Sequence, residues 1–230
     1  MSDYEVVCFD LDGTLVQGTV FIWNSLHDHF KTDAARRVLA RQAFFEGRIS
    51  YREWFEHDLE LLDERGVTRQ TMQAMFAEKI VPTNGAQTTL ERLKEAGKKI
   101  AVLSGSLDLV LTTFFDESLF DVVFLNRIFF DETGRIAGGR HTPFDLDRKA
   151  HGIEEISRRL QIPLDRCAFV GDNDNDLSAA GIAGLPIAFR PKSDELRRLA
   201  RVVIDEEDLT LILPHLGVRL ADDLGEASGE

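Results

Sequence analysis

Six short apolar runs, separated by stretches of helical periodicity, constrain the fold of this 230-residue chain more than any other feature. They cover residues 6–9, 100–103, 122–125, 167–170, 186–189 and 202–204. Most are continuous rather than alternating, as expected of strands covered on both faces. Between them, residues 85–96 set Leu90 and Leu93 against Glu91, Lys94 and Glu95, and residues 151–160 and 193–200 have the same two-sided character. Strand and helix in alternation specify an α/β fold with a parallel sheet. Such sheets bind ligands beyond the carboxyl ends of their strands, and Asp10, Ser104 and Asp172 each lie just past the end of a run.

The alternation is interrupted once on a large scale. Roughly 85 residues separate the first two runs, whereas a strand-to-helix connection normally takes a few. Residues 19–30, 33–45, 50–64 and 68–80 read as helices, with apolar positions such as Trp54, Phe55, Leu59 and Leu62 at helical spacing. Ser50 followed by Glu53 predicts a capping box, and Thr68 opens the next helix. This is an inserted helical unit that starts beside Asp10 and hangs over the crevice. Pro82-Thr83-Asn84-Gly85 marks the return. The expected division is 1–16 and 82–220 for the core, 17–81 for the helical cap, and a disordered acidic tail at 221–230. A smaller insertion, 127–130 and 135–137 around Asp131-Glu132-Thr133-Gly134, predicts a hairpin.

Two strand ends carry chemistry. The first run ends in Asp10-Leu11-Asp12-Gly13-Thr14. A buried strand has no structural use for two carboxylates at its tip, where unpaired charges cost several kcal/mol. They suit a carboxylate nucleophile, a second carboxylate for proton transfer, and a hard cation. Gly13 and Thr14 suggest a tight turn with N–H groups aimed at an anion. The fourth run ends in Gly171-Asp172-Asn173-Asp174-Asn175-Asp176, whose clustered aspartates require a divalent cation or a lysine as compensation. The alternating aspartates suggest a calcium loop, but Leu177 and Ala183 stand where that loop needs glycine and glutamate. Ser104-Gly105-Ser106 follows the second run, and Lys149 starts the helix before the fourth.

Taken in order, Asp10-x-Asp12-Gly13-Thr14, Ser104, Lys149 and Gly171-Asp172-x-x-Asn175-Asp176 resemble the four motifs of the haloacid dehalogenase (HAD) superfamily. The resemblance runs from about Val6 to Ile204 and is closest to the phosphoserine phosphatase-like branch, with which Asn126-Arg127 and Ile187-Ala188-Phe189 are also shared. It implies a Rossmann-like, HAD-like core with an α-helical cap, Mg2+ as cofactor, and an aspartyl-phosphate intermediate. By that resemblance Asp10 is the nucleophile and Asp12 the general acid and base. Ser104, Gly105 and Lys149 hold phosphoryl oxygens, and Asn175 contacts substrate. Asp10, Asp172 and the main-chain carbonyl of Asp12 bind the metal, and Asp176 orients Lys149 or metal-bound water. The implied reaction is hydrolysis of a small phosphorylated metabolite, phosphoserine or a relative. A phosphotransferase or mutase with the same chemistry, and a non-catalytic binding protein on the same fold, are the alternatives.

The chain departs from the branch in the cap. Residues 17–21 lack the acidic side chain expected to meet a substrate amino group, and Trp54-Phe55-Glu56-His57-Asp58 lacks the expected arginine. Arg48 and Arg52 are the nearest substitutes. Glu56, His57 and Asp58 favour either a cationic substrate group or a solvated helix face. Phe21, Trp23, Trp54 and Phe55 either line a ligand or form the cap's interior.

The net charge of −13 argues against nucleic-acid and anionic-membrane partners, so an anionic substrate must be received locally. No apolar stretch approaches the roughly 20 residues that span a bilayer. Cys8 and Cys167, both inside apolar runs, and an N-terminus without a basic leader region predict buried thiols and a cytoplasmic setting. Monomer and homodimer are both open.

Overall fold

The computed structural model describes residues 4–219; the acidic segment expected to be disordered lies outside them. In chain order the elements are β1 (Val6–Phe9), β2 (Val16–Gln17), α1 (Ile22–Phe30), α2 (Ala34–Phe45), α3 (Tyr51–Asp63), α4 (Arg69–Lys79), β3 (Val81–Pro82), α5 (Ala86–Glu95), β4 (Lys99–Leu107), α6 (Asp108–Phe114), β5 (Val122–Phe130), β6 (Ile136–Arg140), α7 (Lys149–Leu160), β7 (Cys167–Gly171), α8 (Leu177–Ala180), β8 (Leu185–Phe189), α9 (Asp194–Leu199) and β9 (Val202–Ile204).

Seven strands form one sheet in the order β6-β5-β4-β1-β7-β8-β9. All neighbours are parallel except β5 and β6. β1 is central and wholly buried, with Val6 opposite Lys99 on one side and Cys167 on the other. Its two faces feed different apolar clusters, which is why the run is continuous. Val7 and Phe9 join a cluster with Leu90, Val102, Ile187 and Leu213. Val6 and Cys8 join another with Ile153, Phe169 and Leu196. Cys8 and Cys167 are buried free thiols.

The helical insertion is α1 to α4. It leaves and returns through a two-stranded antiparallel ribbon in which Val16 faces Pro82 and Gln17 faces Val81. Its helices begin where side chains can satisfy the unpaired first-turn N–H groups. Asp33 accepts from Ala35 and Arg36, and the expected Ser50–Glu53 capping box is present. Leu26, Met72, Met75 and Phe76 share the first cluster with the sheet, so insertion and sheet are packed together.

The hairpin differs from expectation. β5 is a single nine-residue strand that begins in the parallel sheet and continues into the antiparallel pair, so two expected strands are one. β6 lies under the cap: a Cβ on Gly139 would fall 2.6 Å from the Phe55 ring, an approach only glycine permits.

Candidate active site

Asp10 follows β1 directly, and its N–H donates to the Val170 carbonyl of β7 at 2.9 Å. The carboxylate therefore stands between β1 and β7 at the carboxyl edge of the sheet. Lys149, wholly buried in the first turn of α7, donates to Asp10 Oδ1 at 2.5 Å and Asp176 Oδ1 at 2.6 Å. Asp176 is itself fixed, because its Oδ2 accepts from the N–H groups of Asp172 and Asn173 at 2.9 and 3.2 Å. The order Asp10–Lys149–Asp176 thus runs from the sheet into the turn after β7.

Burial alone would lower the Lys149 pKa, but Asp10 and Asp176 outweigh it, and the net shift is upward. The ammonium stays charged. Burial, followed by the nearby Asp176 and Asp172 carboxylates, pushes Asp10 upward against the pull of Lys149. Even with Lys192 on Asp172, two lysines face the three carboxylates of Asp10, Asp172 and Asp176.

Asp12 is held differently. Its Oδ1 accepts from Ser106 Oγ at 2.7 Å and its Oδ2 from the Ile22 N–H at 2.7 Å, tying it to both β4 and the first cap helix. Burial raises its pKa to about 6 despite these two donors. Asp172 also rises to about 6, through burial and then Asp176, and its Oδ2 accepts from Lys192 Nζ at 2.5 Å.

The donor set fits a hard divalent cation. One oxygen each from Asp10, Asp172 and Asp176 lies within 4.8 Å of the others, all three residues buried. Asp176 has both oxygens engaged, so Asp10 and Asp172 are the carboxylates that could hold such an ion. The Asp12 side chain is committed to Ser106 and Ile22, so Asp12 would contribute its main-chain carbonyl.

Ser104 and Asn175 line the same crevice, about 60 Å³ in volume, with Asp10, Asp12 and Asp172. Ser104 lies within β4 rather than after it, in the stretch where pairing with β5 shifts register between Leu103 and Leu107. Such irregularities re-aim side chains beside active sites. Gly105 lines the crevice as well, and its carbonyl accepts from Trp23 Nε1 at 3.0 Å and Asn126 Nδ2 at 2.6 Å, which anchors this stretch of main chain. Its missing side chain matters as well: a Cβ there would stand 2.1 Å from Asp145 Oδ2.

The turn after Asp12 does not present its N–H groups to an anion, contrary to expectation. Gly13 N donates to the Val16 carbonyl and Thr14 N to the Leu11 carbonyl. The tight turn uses those donors itself. Gly13 is required instead by its φ of +86° and because a Cβ would lie 2.2 Å from Asp172 Oδ2.

In the cap, Arg48 and Arg52 do not replace the missing substrate arginine. Each is exposed and paired with a neighbour, Glu46 and Glu56. Asp58 is buried at 5% exposure, not part of a solvated face, whereas Glu56 is exposed. Trp23, Trp54 and Phe55 line a second cavity of about 210 Å³, which shares Phe21, Trp23, Asp145 and Leu146 with the crevice at Asp10. Tyr51 donates to Asp145 Oδ2 at 2.8 Å and accepts from Asn126 at 3.1 Å, fixing the wall between the two spaces. Sequence reasoning missed Ser106, Lys192, Asp145 and Tyr51 as site residues. Only Ser106 carried a signal, two positions from Ser104.

A parallel sheet with an inserted helical unit and an aspartate–lysine–aspartate relay at its carboxyl edge is the architecture of one hydrolase family. The haloacid dehalogenase-like hydrolase model matches residues 4–184, and the chain belongs to that family. Within it, the chain resembles proteins named phosphoserine phosphatase. One from Archaeoglobus fulgidus is 31% identical over 207 residues, 89% of this chain and 57% of that protein. One from Methanocaldococcus jannaschii is 27% identical over 92% of this chain and 97% of its own length. The chain thus spans little more than half of the first relative and nearly all of the second. A solved phospho-aspartyl intermediate analogue of phosphoserine phosphatase superposes with a TM-score of 0.68 at 26% identity, covering 92% of this chain and 98% of that one.

Proposed function

We propose that this chain is a Mg2+-dependent phosphatase that hydrolyses a small phosphate monoester through a phosphoryl group carried on Asp10. The observation that carries the reading is the difference between the two neighbouring aspartates. Asp10 is gripped by a charged lysine and faces Asp172 across a cation-sized gap. Asp12 has a pKa near 6, suited to exchanging a proton near neutrality. The phosphoserine phosphatases among its relatives support the same reaction class.

In this mechanism an Asp10 carboxylate oxygen attacks phosphorus as the ester oxygen departs. Asp12 gives its proton to that departing oxygen. Asp12, now ionised, takes a proton from the water that attacks the phosphoryl group on Asp10. Inorganic phosphate leaves and both aspartates are restored. Lys149 holds the nucleophile in place and offsets the charge of the incoming dianion, while Ser104 and Asn175 meet the substrate from the crevice wall. Asp10, Asp172 and the Asp12 carbonyl would hold Mg2+, which would supply further neutralisation and alignment. Two buried free thiols suit a cytoplasmic setting, and among the described residues no helix is long and apolar enough to cross a membrane.

The test is phosphate release from p-nitrophenyl phosphate and a panel of metabolite monoesters with Mg2+ and no acceptor alcohol. Release that stops with chelator or with Asp10→Asn supports the proposal. No release from any ester, or an unaffected Asp10→Asn, overturns it. Release only when an acceptor is added identifies a phosphotransferase.

A further inference from the structure

The cavity beside the catalytic crevice has an unusual wall. Trp23, Tyr51, Trp54 and Phe55 line it, together with the carboxylates of Asp58 and Asp145. The Asp58 side chain is only 7% exposed, and its Oδ1 makes no hydrogen bond. His27 Nε2 lies 3.3 Å from that oxygen, an ion-pair distance if the histidine is protonated, but in a geometry that gives neither atom a hydrogen bond. A buried carboxylate so poorly matched is costly unless a cation or strong donor completes it. Aromatic faces around an acidic group are the surroundings in which organic ammonium ions bind, since ring quadrupoles and carboxylate attract the same charge.

Two arginines line the cavity from α2; Arg37 is near enough to feel the charge of Asp58, but neither arginine hydrogen-bonds it. Arg37 Nη2 donates to Asn24 Oδ1 at 2.5 Å, and the Arg41 guanidinium sits 4.9 Å above the exposed ring of Phe45. Neither forms an ion pair with Asp58 or Asp145 among the described residues. Arg41 and Phe45 are both exposed and form the outer lip, while Asp58 lies inside. A basic lip favours arrival of a phosphate dianion; an acidic, aromatic interior favours a cation.

We infer that this cavity receives the alcohol part of the substrate, and that this alcohol carries an alkylammonium group held by Asp58 and the surrounding rings. The inference rests on the phosphatase reading and narrows it. It also gives a reason for the departures in the cap: the expected arginine is absent from helix α3, and that helix instead turns a buried carboxylate to the cavity. Serine carries an ammonium group too, but beside it a carboxylate that would meet Asp58 and Asp145 as a like charge.

The chain's two tryptophans are Trp23 and Trp54, and both line this cavity, so intrinsic tryptophan fluorescence reports on it directly. Choline and ethanolamine are titrated into the full chain at constant ionic strength, with serine and glycerol as controls. The titration is repeated on Asp10→Asn, which has no nucleophile. Saturable change with choline and ethanolamine alone, in both proteins, is the expected result. No saturable change, or an equal response to serine, overturns the inference. Turnover supplies the second arm. The specificity constant for phosphocholine or phosphoethanolamine should exceed that for phosphoserine and glycerol phosphate by about thirtyfold, the worth of one desolvated cation–aromatic contact. Asp58→Asn should shrink the ratio of ammonium ester to glycerol phosphate by a similar factor. If phosphoserine is the preferred ester, and Arg37→Gln removes that preference, the cavity reads a carboxylate and the inference fails. An unaffected Asp10→Asn in the phosphate-release assay would sink the phosphatase reading alone, because the fluorescence arm needs no catalysis.

Discussion

Replacing Lys149 by methionine tests the electrostatics of the site without a large change in shape. The lysine has no solvent exposure, and its ammonium bridges Asp10 at 2.5 Å and Asp176 at 2.6 Å. Removing one member of a buried ion pair typically costs about 3–5 kcal/mol, because the remaining charges stay buried and uncompensated. Here two carboxylates lose their partner, with Asp172 close by. For a chain of this size the melting temperature should fall by about 6–20 °C. The loss should depend on pH. Burial and neighbouring carboxylates already raise Asp10, and without Lys149 the opposing attraction is gone, so its pKa climbs further. A carboxyl with a raised pKa in the folded state favours folding as it takes up a proton. The deficit of the variant should therefore be largest above neutrality and shrink as pH falls toward about 5. The wild-type lysine has its pKa raised, so its own contribution persists until strongly alkaline pH. Added Mg2+ should restore part of the lost stability by binding only the folded form. Urea unfolding of both proteins between about pH 5 and pH 8, with and without Mg2+, gives the comparison. A deficit below about 1 kcal/mol, or one that does not vary with pH, would refute the reasoning.

Three further outcomes follow from the same geometry. Asp12→Asn should lower kcat by about 10²- to 10⁴-fold with little change in KM, and the loss should be smaller for p-nitrophenyl phosphate, whose departing oxygen needs no proton; in the wild type, kcat/KM for alkyl esters should decline as pH rises past about 6, where Asp12 gives up its proton. Lys192→Ala should lower the Mg2+ concentration needed for half-saturation in calorimetry, because Lys192 competes for Asp172 Oδ2; unchanged or weaker Mg2+ binding would count against that competition. Gly13→Ala should cost about 1–3 kcal/mol in urea unfolding and weaken Mg2+ binding, since it combines a positive φ with a collision at Asp172.

The sheet was legible because continuous apolar runs flanked by amphipathic helices have few other solutions. The helical insertion was legible because no ordinary loop is so long. The aspartates of the candidate site were visible as charges at the tips of buried strands, where chain direction alone brings them to one edge. Partners supplied by distant chain segments were not visible. Lys192 reads as a surface lysine until the chain after β8 returns it to Asp172. Tyr51 and Asp145 are 94 positions apart and meet only when the cap closes over the core. Local spacing misled at Gly13 and Thr14, because it does not reveal that a tight turn consumes its own donors. The burial of Asp58 was equally hidden, since a helix with charges on two sides does not declare which of them faces inward.

The central claim is that Asp10 carries the phosphoryl group between two half-reactions. Acid quenching during turnover of a slow substrate, followed by proteolysis and mass spectrometry, tests it directly. The account predicts a peptide containing Asp10 that is heavier by one phosphoryl group, appearing with Mg2+ and absent from Asp10→Asn. Steady turnover with no phosphorylated Asp10 at any quench time, or a phosphoryl group on another residue, would contradict it.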